Sequence, residues 1–338
     1  MTQVAVVILN HNGKKYLEQF LPSVVQYSPD SQVIVADNGS TDGSVELISS
    51  LFPSVKVILL GKNEGFSKGY NLALQQIQTH YYVLLNSDVE VTLGWLNPLI
   101  QLMNSNRNIG ACQPKIKYFH QKHLFEYAGA AGGFIDKWGY PFCRGRIFTS
   151  LEEDTGQYDD TKEVFWASGA CMFVRAEAYW KTGGLDEYFF AHMEEIDLCW
   201  RMKNAGYTMY TCGQSEVYHI GGGTLPKSNP RKTFLNFRNG LVLLYKNLPA
   251  SQLLPVIFIR LILDGIAAIK FLISDSPRDF LAVVGAHFNF YRYFLLWRSR
   301  RKQGLPQTHD TRYAQMYDGS IVYAFFVEKK KKFSELLF

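Results

Sequence analysis

The residues best suited to chemistry follow a short apolar run at positions 81–85. That run has the length of a β-strand, and the polar sequence Asn86-Ser87-Asp88 comes directly after it. In open α/β sheets, ligands bind just beyond the carboxyl ends of the strands. A carboxylate such as that of Asp88 suits Mg²⁺ or Mn²⁺, and such an ion can hold a diphosphate. The alternative is a plain polar turn after a strand, and this segment alone does not decide between the two.

Two later groups of polar residues are also candidates for a site. Glu194, Glu195 and Asp197 open a helical pattern, where the helix dipole alone favours acids in the first turn. The alternative is that one of these carboxylates acts as a general base on a hydroxyl group. His219 precedes the glycines of residues 221–223, which allow a loop to fold over a ligand. A lone histidine after a strand is, alternatively, a structural hydrogen-bonding residue.

These residues must be positioned by a sheet, and the first part of the chain predicts one. Apolar runs rich in β-branched residues at Val4–Leu9, Val33–Ala36, Val55–Leu60 and 81–85 alternate with amphipathic helical patterns. Strands that alternate with helices indicate a doubly wound, mostly parallel sheet. A polar turn follows each strand, so these turns are expected on one rim. A rim of this kind is typical of a nucleotide-binding site.

The usual phosphate-binding sequences are missing from this rim. There is no G-x-x-x-x-G-K-[ST], and no G-x-G-x-x-G follows the first strand. A P-loop NTPase and a dinucleotide-dependent oxidoreductase are therefore disfavoured. The site must handle phosphates with a metal ion, which again points to Asp88.

Four motifs occur in order along the predicted sheet, and together they resemble glycosyltransferase family 2. They are Asn10-His11-Asn12-Gly13, Asp37-Asn38-Gly39-Ser40-Thr41-Asp42-Gly43-Ser44, Asn63-Glu64-Gly65-Phe66 and Asn86-Ser87-Asp88-Val89. This family comprises inverting enzymes with a GT-A fold, and the chain is most similar to its bacterial rhamnosyltransferase-like branch. The resemblance covers about the first 225 residues. It identifies neither the sugar donor nor the acceptor.

The resemblance implies a role for each motif. Asp37 would contact the base of a nucleotide-diphosphate sugar, and Asp88 and His219 would bind Mg²⁺ or Mn²⁺. The residues that would line the nucleotide-sugar pocket are Asn10, Asp37, Asn38, Asn63, Gly65, Asn86 and Ser87. Asn86 stands where the family has the first aspartate of Asp-x-Asp, which weakens its claim to be a metal ligand.

The family's general base lies in a Glu-Asp-x-Asp-Leu-x-x-Arg motif, which corresponds here to residues 194–201. Glu195 replaces the usual aspartate base, so the base is either Glu195 or Glu194. Asp197 belongs to the same catalytic motif. Together with Arg201 it is expected to orient the helix through an ion pair.

The composition fits an enzyme without structural metal or disulfides. The chain has 338 residues, is 47% hydrophobic and carries a net charge of +5. Its five cysteines include no C-x-x-C pair, which indicates neither a zinc site nor a disulfide framework but a reducing cytosol. Residues 119–160 form a looser, glycine-containing segment that we assign to the acceptor side. The acidic clusters 152–154 and 159–160 are predicted to be a solvated loop.

The last hundred residues differ from the rest. Leu253–Ile273 is nearly apolar, but Arg260, Asp264 and Lys270 interrupt it. This predicts an interfacial or re-entrant helix, with a true membrane span or a helix packed under the catalytic domain as alternatives. Arg260 and Asp264 have the i, i+4 spacing of an ion pair. Aromatic residues followed by a basic cluster at 298–302 suit an anionic membrane surface.

These observations predict a catalytic domain at 1–235 and a helical, membrane-associating region at 236–338. The predicted function is inverting transfer of a sugar from a nucleotide-diphosphate sugar to a saccharide acceptor, lipid-linked by expectation, at the cytoplasmic face of the cell membrane. Nucleic acid is not an expected partner, because no RNA-recognition motif accompanies the basic residues. The competing interpretations are a sugar nucleotidyltransferase and a non-catalytic, membrane-associated assembly protein of the same fold.

Overall fold

The computed structural model describes residues 3–221, 229–274, 276–303 and 313–338. The strands, numbered along the chain, are β1 (Val4–Asn10), β2 (Gln32–Asp37), β3 (Lys56–Leu59), β4 (Tyr81–Asn86), β5 (Val89–Val91), β6 (Ile109–Tyr118), β7 (Gly133–Asp136), β8 (Pro141–Cys143), β9 (Arg146–Ile147), β10 (Ser150–Leu151), β11 (Thr161–Val164), β12 (Cys171–Arg175), β13 (Thr208–His219) and β14 (Met316–Tyr317). The helices are α1 (Lys14–Tyr27), α2 (Ser44–Leu51), α3 (Phe66–Leu74), α4 (Leu96–Ser105), α5 (Ala176–Lys181), α6 (Glu194–Asn204), α7 (Pro230–Asn247), α8 (Ala250–Ile273), α9 (Pro277–Arg292), α10 (Phe294–Gln303) and α11 (Ile321–Phe326).

The central sheet is mixed rather than mostly parallel. Its strand order is β11-β13-β6-β12-β4-β1-β2-β3, with β5 beside β13. The predicted parallel arrangement of β1 to β4 with their helices is confirmed. The prediction was wrong for the remainder, because β12 runs antiparallel to both β4 and β6. The Asn86 amide at the end of β4 donates to the Ala170 carbonyl at the start of β12, so β12 begins where β4 ends and runs back.

Both faces of the central sheet are covered, which explains the continuous apolar strands. Alternate residues of β1 point to opposite sides: Val4, Val6 and Ile8 pack in the layer with α1 and α4, whereas Ala5 and Val7 pack in the layer with α3, α5 and α6. The carboxyl ends of β1, β2 and β4 therefore form one fixed rim. This rim carries the predicted polar turns.

A second, smaller sheet forms from the segment that the sequence predicted only as a loose acceptor side. Its order is β10-β9-β8-β7-β14, and β14 pairs in parallel with β7. The last part of the chain thus returns to the small sheet. Buried Asp136 accepts a hydrogen bond from the Ile321 amide at 2.9 Å, which fixes the start of α11.

The two acidic clusters beside this sheet are exposed at Glu153, Asp159 and Asp160, as predicted for a solvated loop, but Glu152 is buried and several of the acids are ion-paired. Lys115 and Lys117 on β6 each lie 3.1 Å from Asp154. Arg144 lies 2.5 Å from Asp160. These pairs tie the small sheet to the central sheet. Local sequence could not reveal them, because each partner lies on another strand or turn.

Helix α8 presents one ion pair inward and a row of apolar residues outward. On α8, Arg260 and Asp264 are buried, and the predicted ion pair is confirmed at 3.3 Å. Asp264 also accepts from the Tyr140 hydroxyl at 2.7 Å. The apolar residues on the opposite face of α8 are exposed: Leu254, Phe258, Ile262, Ile266, Ile269 and Ile273. Helix α7 runs across the predicted boundary at 235, and the division into two domains stays a prediction.

Crossing a bilayer demands a length and apolarity that no helix in the described ranges reaches. Of the charges that interrupt α8, Arg260 and Asp264 face the protein, whereas Lys270 is exposed. Arg260 also stacks on Tyr140, with 3.9 Å between the guanidinium carbon and the ring centre. Hydropathy along the chain could not assign these charges to a face.

Arg260→Ala is expected to lower the free energy of unfolding by about 3–5 kcal/mol, because it leaves the Asp264 carboxylate buried without its cation. Urea unfolding of the wild-type protein and the variant measures this. Arg278→Ala, at an exposed position of α9, is the matched control and should change the value by less than about 0.5 kcal/mol. Equal effects of the two substitutions would contradict a structural role for the buried pair.

Candidate functional site

Asn38 joins the turns that follow β2 and β3. Its side-chain amide donates to Asn63 Oδ1 at 3.3 Å and to the Gly65 carbonyl at 3.1 Å. Its oxygen accepts from the Glu64 amide at 2.9 Å, and Asn63 Oδ1 also accepts from the Gly65 amide. The motif residues Asn38, Asn63 and Gly65 are therefore brought together as predicted from the sheet. The side-chain nitrogen and oxygen of Asn38 are both hydrogen-bonded to other residues of the protein. Asn38 therefore shapes the wall of the pocket.

Asn10 and Asp37 lie side by side at the ends of β1 and β2. Asn10 Nδ2 lies 3.5 Å from Asp37 Oδ1 and 3.1 Å from Ser40 Oγ, and Asp37 Oδ2 accepts from the Ser40 amide. The Asn10 oxygen is buried and has no hydrogen-bond partner among the described residues. It directly abuts Gly13, whose missing side chain lets the β1 turn approach both Asn10 and Ser87. An acceptor left open on this rim suits a donor group of a ligand.

His219 is brought onto the same rim by the pairing of β13 with β5. Its Nε2 lies 3.1 Å from Asp88 Oδ1 and 3.4 Å from Asn86 Nδ2. Its Nδ1 lies 3.2 Å from Glu126 Oε2. The structure thus brings together Asn86, Asp88 and His219, as the sequence predicted, and adds Glu126. The remainder of the predicted glycine loop, residues 222–224, lies outside the described residues.

Two carboxylates set the charge of the buried His219 ring. Burial alone would lower its pKa, but Glu126 and Asp88 raise it to about 10. Burial acts to raise the pKa of Asp88, and the charge and hydrogen bond of His219 outweigh it, so that pKa is lowered. At neutral pH an imidazolium therefore lies between two carboxylates. Glu126 was missed as a site residue, because its only signal was its place in the Phe125–Gly129 segment.

Glu194 and Glu195 open α6 in an apolar environment. Each carboxyl group has one buried oxygen without a hydrogen-bond partner in the described part of the chain. Burial raises the pKa of Glu195 to about 7. Burial and the neighbouring Glu195 raise the pKa of Glu194 well above its usual range. Two carboxyl groups with different proton affinities thus lie side by side, and Glu195 is the one that ionises near neutral pH.

Asp197 is buried in a cluster of cations, away from any open surface. It accepts from Arg201 Nε at 2.8 Å, from Lys246 Nζ at 2.8 Å and from Asn247 Nδ2 at 2.9 Å. Burial raises its pKa, but the Arg201 and Lys246 charges outweigh burial and lower it to about 2. These partners lie on α6 and α7, and they hold the two helices in place. Asp197 therefore holds α6 against α7 through Lys246 and Asn247. Its ion pair with Arg201, which the sequence predicted, lies within α6.

The segment before α6 is held in an unusual backbone conformation. Phe190, His192 and Met193 all have positive φ, between 64° and 72°, which is costly for residues other than glycine. The buried side-chain amide of Asn239 on α7 lies within 3.0 Å of the Phe189, Ala191 and His192 carbonyls. Helix α7 therefore fixes the strained approach to Glu195.

The turn 168–170 connects the acidic rim to the helix that carries Glu195. A side chain added at Gly169 would lie 3.8 Å from Glu195 Cβ and 3.6 Å from the Phe66 ring. Ala170 accepts from the Asn86 amide at 3.0 Å. The small side chains of this turn therefore let the two groups of polar residues approach each other. The candidate cleft therefore has the rim residue Asn86 on one side of this turn and Glu195 on the other.

The known proteins most relevant to this cleft are glycosyltransferases. The family model "Glycosyl transferase family 2" matches residues 5–183. N-acetylglucosaminyl-diphospho-decaprenol L-rhamnosyltransferase of Mycobacterium tuberculosis is 27% identical over 238 residues, covering 65% of this chain and 76% of that protein. Rhamnosyltransferase WbbL of Escherichia coli is 24% identical over 214 residues, covering 61% and 79%.

A solved structure gives the fold. The crystal structure of GalNAc-T7 with UDP, GalNAc and Mn²⁺ is 17% identical with a TM-score of 0.57, covering 73% of this chain and 48% of that one. This chain thus spans about half the length of that structure, and the similarity confirms the predicted GT-A fold. The family match covers more than half of the chain. The protein is therefore a glycosyltransferase that belongs to glycosyl transferase family 2, and the two relatives described above are rhamnosyltransferases.

Proposed function

We propose that this protein is an inverting enzyme that transfers a sugar from a nucleotide-diphosphate sugar to a hydroxyl group of a lipid-linked saccharide in cell-surface polysaccharide synthesis. The observation that carries the proposal is the turn 168–170, which accepts a hydrogen bond from Asn86 on the rim and lies beside Glu195 on α6. We place the donor and the acceptor on the two sides of this turn. The mycobacterial relative is named for a diphospho-decaprenol-linked saccharide, which supports this class of acceptor.

The residues present fit a divalent cation at Asp88 and His219 once the cation displaces the proton from His219 Nε2, because a ligating imidazole must be neutral. In the described residues no group of three or more His, Cys, Asp or Glu side chains is arranged to hold a metal. Mg²⁺ and Mn²⁺ do not need such a cage, because one or two protein ligands together with substrate phosphates suffice. His219 has the required orientation, since Glu126 faces its second ring nitrogen as in many metal-binding histidines. When bound, the cation would neutralise charge on the departing nucleoside diphosphate.

Glu195 is the proposed general base. Its pKa near 7 lets it be ionised and still basic enough to take the acceptor proton at neutral pH. The acceptor hydroxyl then attacks the anomeric carbon from the side opposite the nucleotide. Asn239 and Asp197 act only as positioning residues for this carboxylate, through the segment before α6 and through α6 itself.

Calorimetric titration with UDP, GDP and dTDP, with and without Mn²⁺, tests the proposed donor site. One nucleotide should bind at least about tenfold more tightly with Mn²⁺, a difference of about 1.4 kcal/mol. If none binds in the presence of Mn²⁺, the rim is not a nucleotide site and the proposed function is wrong. Once the donor is known, the anomeric configuration of the product tests inversion.

The exposed apolar face of α8 supports a position at the cytoplasmic face of the cell membrane. On α9, Leu281, Val284, Phe288 and Tyr291 continue this surface at helical spacing. Exposed basic residues follow at Arg292, Arg298 and Lys302. Apolar side chains beside basic ones suit the boundary between acyl chains and anionic headgroups. Such a surface keeps the enzyme where lipid-linked acceptors are found.

Replacing Phe258 and Ile266 together with glutamate should lower the fraction bound to anionic phospholipid vesicles at least about tenfold, because two apolar contacts of about 1.5–3 kcal/mol each are lost. Vesicle flotation measures this. Leu93→Glu, at an exposed residue elsewhere on the protein, is the matched control and should leave flotation unchanged. If the wild-type protein does not float, or if the double variant instead dissociates a dimer in solution, the lipid surface is not the partner of this face.

A further inference from the structure

Arg146, on strand β9 of the small sheet, is a buried guanidinium without a carboxylate partner. The residue is 7% exposed. Its only hydrogen bond in the described part of the chain runs from Nη2 to the Cys143 sulfur at 3.3 Å, and its buried Nε has no partner. Burying a positive charge without an anionic partner is costly in free energy unless a bound anion neutralises it.

The other buried arginines of the described ranges are all paired. Arg201 lies 2.8 Å from Asp197, Arg260 lies 3.3 Å from Asp264 and Arg144 lies 2.5 Å from Asp160. The fold therefore supplies a carboxylate to each of them but not to Arg146. This contrast suggests that the missing anion comes from a ligand.

The surroundings of Arg146 belong to the cleft. Its guanidinium carbon lies 4.6 Å from the ring centre of Tyr127, which directly follows Glu126. Lys232 Nζ, at the start of α7, lies 5.9 Å from the same ring centre. Burial raises the pKa of the Cys143 thiol beside Arg146, and the charges of Glu126 and Glu195 raise it further. Glu126 and Glu195 therefore act on Cys143 through their charge, but neither forms a hydrogen bond or an ion pair with Arg146 in the described part of the chain.

We propose that Arg146 binds a phosphate of the acceptor substrate, in a subsite formed with the Tyr127 ring. This inference rests on the proposed function, because it assigns the diphosphate of a lipid-linked saccharide to the acceptor side of the cleft. A guanidinium presents a planar set of donors that matches two phosphate oxygens at once. The donor diphosphate is assigned to the Asp88 rim, so the Arg146 subsite serves a second anion. The exposed part of the Tyr127 ring lies beside it.

The test compares the binding of two acceptor probes in the presence of EDTA, so that no cation at Asp88 and His219 can hold a diphosphate. One probe is N-acetylglucosamine linked through a diphosphate to a short prenyl chain, and the other is an uncharged alkyl glycoside of the same sugar. Calorimetry should give at least about tenfold tighter binding of the diphosphate probe to the wild-type protein. Arg146→Gln should abolish that preference, and Arg146→Lys should keep part of it because it keeps the charge.

Two controls separate this subsite from other effects. Arg107→Gln makes the same change of charge at an exposed position near Gln3, at the amino end of β1, and should not alter the preference. Nucleotide binding with Mn²⁺ should stay within about twofold in Arg146→Gln. If Arg146→Gln fails to fold, the comparison of Arg146→Lys with the wild-type protein decides the point, because a purely structural arginine predicts no loss of preference.

Three outcomes would overturn the inference. The first is that the wild-type protein does not prefer the diphosphate probe. The second is that the preference survives undiminished in Arg146→Gln or Arg146→Lys. The third is that nucleotide affinity falls in Arg146→Gln. The last result would assign Arg146 to the donor diphosphate. Failure of the proposed function would give a different result. In that case neither the wild-type protein nor the variants at position 146 would bind a nucleotide in the presence of Mn²⁺.

Discussion

Glu195→Gln is expected to lower kcat for sugar transfer by about 10³-fold, within the range that a general base contributes. Glutamine keeps the shape of the side chain but cannot accept the proton of the acceptor hydroxyl. Nucleotide affinity with Mn²⁺ should stay within about twofold, because Glu195 lies across the cleft from the Asp88 rim. Steady-state kinetics and calorimetry on the same preparation measure both quantities. Full activity in Glu195→Gln would remove this residue from the mechanism.

Glu194→Gln is the matched control for this prediction. Burial and the adjacent Glu195 hold the pKa of Glu194 well above its usual range, which favours the protonated form of its carboxyl group. Glutamine resembles a protonated carboxyl group, and kcat should therefore fall by less than about tenfold. If the loss in Glu194→Gln exceeds that in Glu195→Gln, the roles of the two residues are reversed.

The pH dependence of kcat gives an independent test of Glu195. Below its pKa of about 7 the carboxyl group is protonated and cannot act as a base, so activity should be low. As the pH rises through about 7, the group loses its proton and kcat should rise to a plateau. The residual kcat of Glu195→Gln should not show this rise between low and neutral pH. A wild-type profile that is flat between pH 5 and 8 would contradict the assignment.

The nucleotide half of the site was predictable from sequence because its information is local. In a parallel sheet, the turns after β1, β2 and β4 must meet on one rim, and each turn is marked by polar residues directly after an apolar run. Asn10, Asp37 and Asp88 therefore needed no knowledge of distant contacts. Predicting the direction of β12 does require knowledge of distant contacts. A short apolar strand has the same sequence pattern whether it runs parallel or antiparallel to its neighbours.

The missed residues have partners that are distant in sequence. Glu126 faces His219 only because β13 pairs with β6, which brings residues 93 positions apart to 3.2 Å. Arg146 lies in no recognisable motif. It became a candidate only because the structure shows its buried guanidinium without a carboxylate partner. For α8, hydropathy located the helix, but packing decided that Arg260 and Asp264 face inward. The sequence therefore predicts elements and local motifs better than which side chains will be left without partners.

Asp88→Asn should abolish the increase in nucleotide affinity that Mn²⁺ provides, a loss of at least about tenfold relative to the wild-type protein in Mn²⁺. Asparagine keeps the size of the side chain but removes the negative charge that a hard cation requires. Without Mn²⁺ the two proteins should bind the nucleotide equally. Calorimetric titration of both proteins under both conditions measures the effect directly and does not depend on turnover.

Glu126→Gln extends this prediction to the residue that orients His219. Loss of a carboxylate behind a metal-binding histidine typically costs about 10–100-fold in metal affinity, so more Mn²⁺ should be needed to reach the same nucleotide affinity. Glu90→Gln, at a partly exposed side chain that pairs with Lys122, is the control and should behave as the wild-type protein. A purely structural role of the Asp88–His219–Glu126 cluster would lower thermal stability and leave the Mn²⁺ dependence intact. Because His219 lies between both carboxylates, parallel losses of Mn²⁺ dependence in Asp88→Asn and Glu126→Gln would identify the three residues as one unit.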